Sequence, residues 1–298
     1  MRYKIKKLGC SFLIIVLLPY IVTIFLNGPT VMSRAETAQF KVNVKKQEEN
    51  VEIPLEEYAV GILAREISPL CEMETIKAQA IMVRTKIYKN IQEKGSDMVF
   101  TEKFWEQQEM EEAWGISQYS GYYKKLESAW KDTDGQVLIY KGDLISTPFF
   151  SLSNGSTRDG REVLGKNYTY LKIKDCPLDL EAVEQLQTVT IEKEDIEIIS
   201  LDTAGYVLKV RVGNDEVSGE EFRKNYNLAS GCFSVQEYEG KIRITTRGVG
   251  HGVGLSQNTA NKMAEEGKQA EEILLYFYDG CEIMEVVDMV TSEKIEKL

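Results

Sequence analysis

The feature that most constrains this chain lies at its amino end. Arg2, Lys4, Lys6 and Lys7 precede any acidic residue, and Leu8 to Leu26 then run on without a charge. At helical rise this stretch is about long enough to cross a ~30 Å hydrocarbon core. Pro19 is tolerable in a membrane helix, whose freed backbone groups find other partners. The rival reading is a cleaved signal peptide, but Ser33-Arg34-Ala35 makes a poor cleavage site. The expectation is therefore a cytoplasmic basic segment at 1–7 and an uncleaved transmembrane signal anchor at 8–26. The flanking positives orient the remainder to the extracytoplasmic side of the cell membrane, as a single-pass protein. Residues 27–50 are polar and mixed in charge, and read as a linker.

Charge and cysteine use then exclude several classes. The chain of 298 residues carries a formal charge of -11, and -15 (-11 minus 4) without the four leading positives. Nothing there offers the basic footprint that attracts nucleic acid. A single His rules out a zinc site built on several imidazoles, and a Ser-His-Asp triad would have to use His251. Cys71, Cys176, Cys232 and Cys281 are scattered, permit three pairings and form no C-x-x-C.

The first strong helical pattern follows Pro54. Leu55, Tyr58, Ala59, Ile62 and Leu63 make one apolar stripe, and Glu66 occupies its next position. Ser68-Pro69 ends the helix, so Glu66 falls in its last turn. Partial burial and the negative end of the helix dipole both favour the protonated acid there, as a general acid requires. The alternative is a structural ion pair with Arg65, Lys77 or Arg84. A second helix is expected from about Met73 to Ile91, with a polar stripe of Lys77, Arg84 and Tyr88. That stripe either faces the cleft holding Glu66 or is a solvated basic face. Residues 96 to 135 look less regular and contain Trp105, Trp114 and Trp130, which either fill the core or stack on sugar rings.

Beyond residue 136 the period becomes two. A hairpin over Val137 to Ser153 leads into Asn154-Gly155, where Ser153, Asn154 and Gly155 form either an ordinary turn or a cluster able to bind sugar hydroxyl and acetamido groups. Further strands are expected at 188–191, 196–201, 206–212, 233–235 and 241–246, with a short helix at 219–226 capped by Ser218. Gly248, Gly250, Gly252 and Gly254 alternate through the segment around His251, which matches neither a Walker loop nor a dinucleotide fingerprint. Ser256 is expected to cap a helix reaching Glu265, with a last helix at 271–278.

Three of these blocks together resemble one family. Ile53 to Glu66 with Lys77-Ala78-Gln79-Ala80 and Arg84-Thr85, then Pro148 to Gly155, then Gly248 to Gln257 with Tyr276 to Gly280, are similar in order to the stage II sporulation protein D family, the SpoIID/LytB superfamily. The resemblance implies an α+β fold. An N-terminal membrane helix would precede a mixed helix and antiparallel-strand catalytic region with a central cleft over 51–281, and 282–298 would be a tail. It implies a membrane-anchored peptidoglycan lytic transglycosylase acting in sporulation and engulfment, which cuts the MurNAc-GlcNAc bond of denuded glycan strands and leaves a 1,6-anhydro-MurNAc end. Glu66 would be its catalytic residue, with Lys77, Arg84, Ser153, Asn154, Gly155, His251 and Gln257 binding substrate. The partners implied are the glycan strands, a cell-wall amidase and other engulfment membrane proteins. No cofactor is expected, and no metal, because 96–135 lacks the Cys and His of a metal cluster. Two rivals stay open: a non-catalytic amidase enhancer or glycan-binding scaffold of the same superfamily, and a serine hydrolase using His251 with Ser151 or Ser153.

Overall fold

The computed structural model describes residues 40–46 and 49–286. The basic segment, the expected anchor, residues 27–39 and 47–48 of the expected linker and residues 287–298 of the expected tail lie outside these. Among the described residues no helix is long and apolar enough to cross a membrane. The chain divides into two compact units: residues up to Tyr58 with Val99–Thr101, and all the others.

In the first unit, β1 (Lys41–Lys46) and β2 (Glu49–Pro54) form an antiparallel hairpin, and β3 (Val99–Phe100) pairs parallel to β1. Part of the expected linker is thus a strand. Its K-V-N-V-K alternation buries Val42 and Val44 on one face and leaves the lysines to solvent, a short period-two signal masked by its polar surroundings. Tyr58 packs on Phe100 with ring centroids 5.2 Å apart.

Helix α1 (Leu55–Glu66) carries the predicted apolar stripe, with Leu55, Tyr58, Ala59, Ile62 and Leu63 all buried. In the second unit α2 (Met73–Lys94) runs longer than expected. The irregular-looking stretch after it holds two helices, α3 (Gln107–Trp114) and α4 (Ile116–Asp132), separated by Gly115 at φ +83°. Polar, largely exposed surfaces obscured their period: Met110 is the one buried residue of α3, and α4 buries only Leu126, Ala129 and Trp130.

The strands that follow form small, chiefly antiparallel sheets. β4 (Gln136–Tyr140) pairs with β5 (Asp143–Leu144), while β6 (Phe149–Phe150) leaves that hairpin. After α5 (Gly160–Val163) come β7 (Leu186–Ile191), β8 (Ile196–Leu201), β9 (Val207–Val212), β10 (Asp215–Ser218), α6 (Gly219–Asn225), β11 (Phe233–Tyr238) and β12 (Lys241–Arg247). They build the three-stranded sheets β10-β9-β8 and β11-β12-β7 around Val207, Val210, Phe222, Phe233, Ile242 and Ile244. Ser218 caps α6 as expected, accepting from the Glu221 amide.

The chain closes with β13 (Leu255–Ser256), α7 (Gln257–Glu265), α8 (Ala270–Phe277) and β14 (Glu282–Glu285). Ser256 caps α7 by accepting from the Thr259 amide. β14 lies within the expected tail and pairs antiparallel with β4, Ile283 opposite Leu138. Its short, half-buried run gave too weak an alternation to read. Mixed helices and antiparallel strands make this an α+β protein.

The alternating-glycine segment lies against residues 148–153. Leu152 and Val249 exchange both backbone hydrogen bonds, and β13 pairs parallel with β6. Gly254 shows why no side chain is allowed: its φ is +82°, and a Cβ would stand 1.9 Å from the Pro148 carbonyl oxygen. Gly254→Ala must therefore push two backbones apart. It is expected to lower stability by about 3 kcal/mol or more, seen as a drop in the urea midpoint.

Candidate functional site

Glu66 ends α1 beside a cavity of about 530 Å³, whose walls include Gln79, Met82, Val83, Lys86 and Lys89 from α2, then Thr147, Pro148 and Phe149, and His251. The Glu66 side chain is only 9% exposed. The Gln79 Nε2 donates to Glu66 Oε2 at 3.0 Å. The Lys86 Nζ stands 3.6 Å from Glu66 Oε1 and also contacts the Glu102 carboxylate. Gln257 Nε2 donates to the Glu66 backbone carbonyl at 2.8 Å and reaches Gln79 Oε1 at 3.5 Å. One carboxyl is thereby held at its side chain by α2 and at its backbone by the first residue of α7.

Its protonation follows from this environment. Burial pushes the Glu66 pKa up to about 7; Lys86 and the Gln79 amide pull the other way, and the Glu102 carboxyl adds to the rise. At neutral pH the group is thus shared between acid and carboxylate. His251 forms another wall, with Nδ1 accepting from the Val253 amide at 3.1 Å. Burial holds its pKa below the usual value, so the imidazole is neutral at pH 7.

Other expected site residues lie elsewhere. Arg84 is 1% exposed and donates to the Thr133 and Trp130 carbonyls, both at 2.6 Å, with its guanidinium 3.8 Å from the Trp130 ring centre. Lys77 pairs with Glu74 and Asp132. The reason is helical phase. Arg84 and Lys86 differ by about 200° at ~100° per residue, so the Lys77–Arg84 stripe faces away from the cavity and the Gln79–Lys86 stripe faces it.

Ser153 is fully buried, its Oγ accepting from the Gly155 amide. Asn154 Nδ2 donates to the Ala204 carbonyl at 2.9 Å, and Gly155 packs on Leu180. These three shape a turn and do not line the Glu66 cavity. Of the expected binding residues, His251 and Gln257 are brought to Glu66; Lys77, Arg84, Ser153, Asn154 and Gly155 are not. His251 makes no hydrogen bond to Ser151 or Ser153, its Nδ1 accepting instead from the Val253 amide, so no base and nucleophile pair is formed. Among the described residues, Cys71, Cys176, Cys232 and Cys281 are free thiols.

Gln79, Lys86 and Glu102 escaped the sequence reading. The i, i+3, i+7 run Gln79, Met82, Lys86 on α2 was the available signal for the first two. Asp179 was also missed: wholly buried, its carboxylate accepts from the Ser153 amide, Ser256 Oγ, Asn258 Nδ2 and Thr259 Oγ1, at 2.7 to 3.0 Å. It ties the 148–153 segment to the start of α7 and so sets where Gln257 meets Glu66. Among the described residues no cluster of three or more His, Cys, Asp or Glu could hold a metal ion.

An α+β domain with one buried, half-protonated glutamate against a helix-lined cavity is the class these features define. Comparison with known proteins makes it more particular. The family profile "Stage II sporulation protein" (SpoIID) matches residues 43–140. The chain is 32% identical over 270 residues to Stage II sporulation protein D of Bacillus amyloliquefaciens, covering 82% of this chain and 78% of that protein. Against Stage II sporulation protein D of Bacillus subtilis (strain 168) the identity is 33% over 258 residues, covering 78% and 75%. The Amidase enhancer of the same strain is 23% identical over 294 residues, covering 74% of this chain and 39% of that protein. The chain belongs to the stage II sporulation protein D family.

Two outcomes follow from the geometry. Because the Glu66 pKa is raised, the folded state holds a proton that the unfolded chain releases near pH 4.5. Stability from this group is present below that pH and is lost as pH rises through about 7. Glu66→Gln removes the dependence: it should match the wild type near pH 4.5 and exceed it by roughly 2–3 kcal/mol at pH 8 in denaturant titrations. Arg84→Met leaves carbonyls unpaired and should lose about 3 kcal/mol, with Arg84→Lys only partly better. A substrate-binding role would instead raise KM and leave the unfolding midpoint unmoved.

Proposed function

We propose that this protein is a peptidoglycan lytic transglycosylase. Glu66 protonates the glycosidic oxygen between N-acetylmuramic acid and N-acetylglucosamine, and the C1–O bond breaks. The resulting carboxylate takes the proton from the muramyl C6 hydroxyl, whose oxygen closes on C1 as a 1,6-anhydro ring. Electrons and protons balance with a single carboxyl as acid and then base.

The observation that carries this reading is the buried Glu66 with its pKa near 7, which suits both roles in one cycle. Glu102 is in hydrogen-bonding reach of Glu66, far closer than the ~5–9.5 Å that separates the two carboxyls of ordinary glycosidases. It is ill placed to act across a sugar ring. The cavity offers Lys86, Lys89, Asn90 and Thr147 to acetamido and lactyl groups, in the place where Arg84 was expected. The same reading puts the domain outside the membrane on its N-terminal anchor, working on denuded strands beside an amidase and other engulfment membrane proteins. The relative named Amidase enhancer favours the rival reading of an amidase-enhancing protein.

Mass spectrometry of denuded glycan digested by the full-length protein is expected to give fragments ending in 1,6-anhydro-MurNAc. Glu66→Gln should reduce the rate by roughly 10²–10⁴-fold. For the wild type, kcat/KM should fall above pH 7 as the acid ionises. Reducing ends in place of anhydro ends would overturn the mechanism, and unchanged wall-related activity in Glu66→Gln would favour the scaffold.

A further inference from the structure

A second cavity, of about 500 Å³, shares one wall with the first. It is lined by Ile67, Pro69, Leu70, Trp105, Trp114 and Tyr122 among others, and Glu66 is the residue common to both linings. Trp130, by contrast, is buried beneath Arg84. The sequence gives no sign that separates these tryptophans, yet two line a half-open pocket and the third fills a core.

The aromatic wall is fixed by backbone. The Trp105 amide donates to the Gly61 carbonyl at 3.0 Å. Gly61 lies inside α1, where glycine costs about 1 kcal/mol relative to alanine. A Cβ there would stand 2.6 Å from the Trp105 carbonyl oxygen and 2.8 Å from the Phe104 ring. The helix that presents Glu66 thus gives up a side chain so that Trp105 can lie against it. Directly after Trp105, Glu106 and Glu109 form a capping box that sets the start of α3. Gly115 then turns the chain so that Trp114 meets Tyr122 edge-on, centroids 5.8 Å apart, and Trp105 at 6.1 Å. Edge contacts hold the rings without stacking them on one another. Leu70, 74% exposed, stands at the rim.

Such a wall suits a sugar ring. The C–H face of a pyranose carries slight positive charge and meets the negative face of an aromatic ring, while its equatorial hydroxyls stay in water. We propose that the Trp105–Trp114–Tyr122 pocket is a sugar subsite, which holds a second pyranose of the glycan while the first occupies the His251-lined cavity. The inference rests on the glycan reading above and adds to it. The scissile bond then lies at Glu66 between two occupied subsites, so the enzyme cuts within strands and needs sugars on both sides.

The test uses full-length protein. In the Glu66→Gln background, linear N-acetylglucosamine oligomers should perturb tryptophan fluorescence, and the response should vanish in Trp105→Phe/Trp114→Phe, which retains Trp130. In the otherwise native enzyme, Trp114→Ala should raise KM for denuded glycan at least ~10-fold with a smaller change in kcat. Ala113→Trp, which fills the pocket from its exposed edge without removing a packed ring, should do the same if Trp114→Ala fails to fold. Folded variants that bind and cut like the wild type would overturn the subsite and leave the glycan reading standing. Failure of the wild type to bind or cut any glycan would remove both.

Discussion

The contact on which the rest depends is backbone against backbone: residues 248–254 laid on residues 148–153 closely enough that a Cβ at Gly254 would collide with the Pro148 carbonyl. That contact delivers Pro148, Phe149 and His251 to one cavity wall. It also fixes β13, hence Ser256 as the cap of α7, hence Gln257 as the residue that meets the last turn of α1. The buried Asp179 fastens the two layers by accepting from both. A glutamate at a helix end acquires its unusual protonation because distant chain segments converge to exclude water from it.

Much of this was legible in the sequence, and the residues that were not have physical reasons. Glu66 stood out because a charge interrupted a regular apolar stripe, and burial of that stripe forces the charge inward. Ser218 and Ser256 were readable as caps because capping is local. Arg84 misled because a buried guanidinium held by carbonyls and an indole has the same local sequence as one that faces a ligand. Glu102 gave no signal: its role comes from its approach to Lys86 and Glu66, which only tertiary contact provides. Helices α3 and α4 were hidden because they bury few residues, and β1 and β14 because their alternation is too short to exceed its surroundings.

The site also refines what the acidic composition means. An overall charge of -11 offers no broad attraction for an anionic ligand. Cations are instead placed one at a time, Lys86 at Glu66 and Lys89 a turn further along α2, each beside a carboxylate. On the proposed glycan reading, recognition rests on shape and on short-range donors, which suits a ligand that is mostly neutral hydroxyl and amide.

Asp179 differs in kind. Its carboxyl is buried, and its side-chain hydrogen-bond partners are neutral: one backbone amide, two hydroxyls and a side-chain amide. A carboxylate stabilised by fixed dipoles at hydrogen-bond distance has no exposed counter-ion for salt to compete with. The link between the two layers is therefore of a kind that salt does not screen as it screens a surface ion pair. What places Gln257 against Glu66 differs in this from the charged pairs on the surface around it.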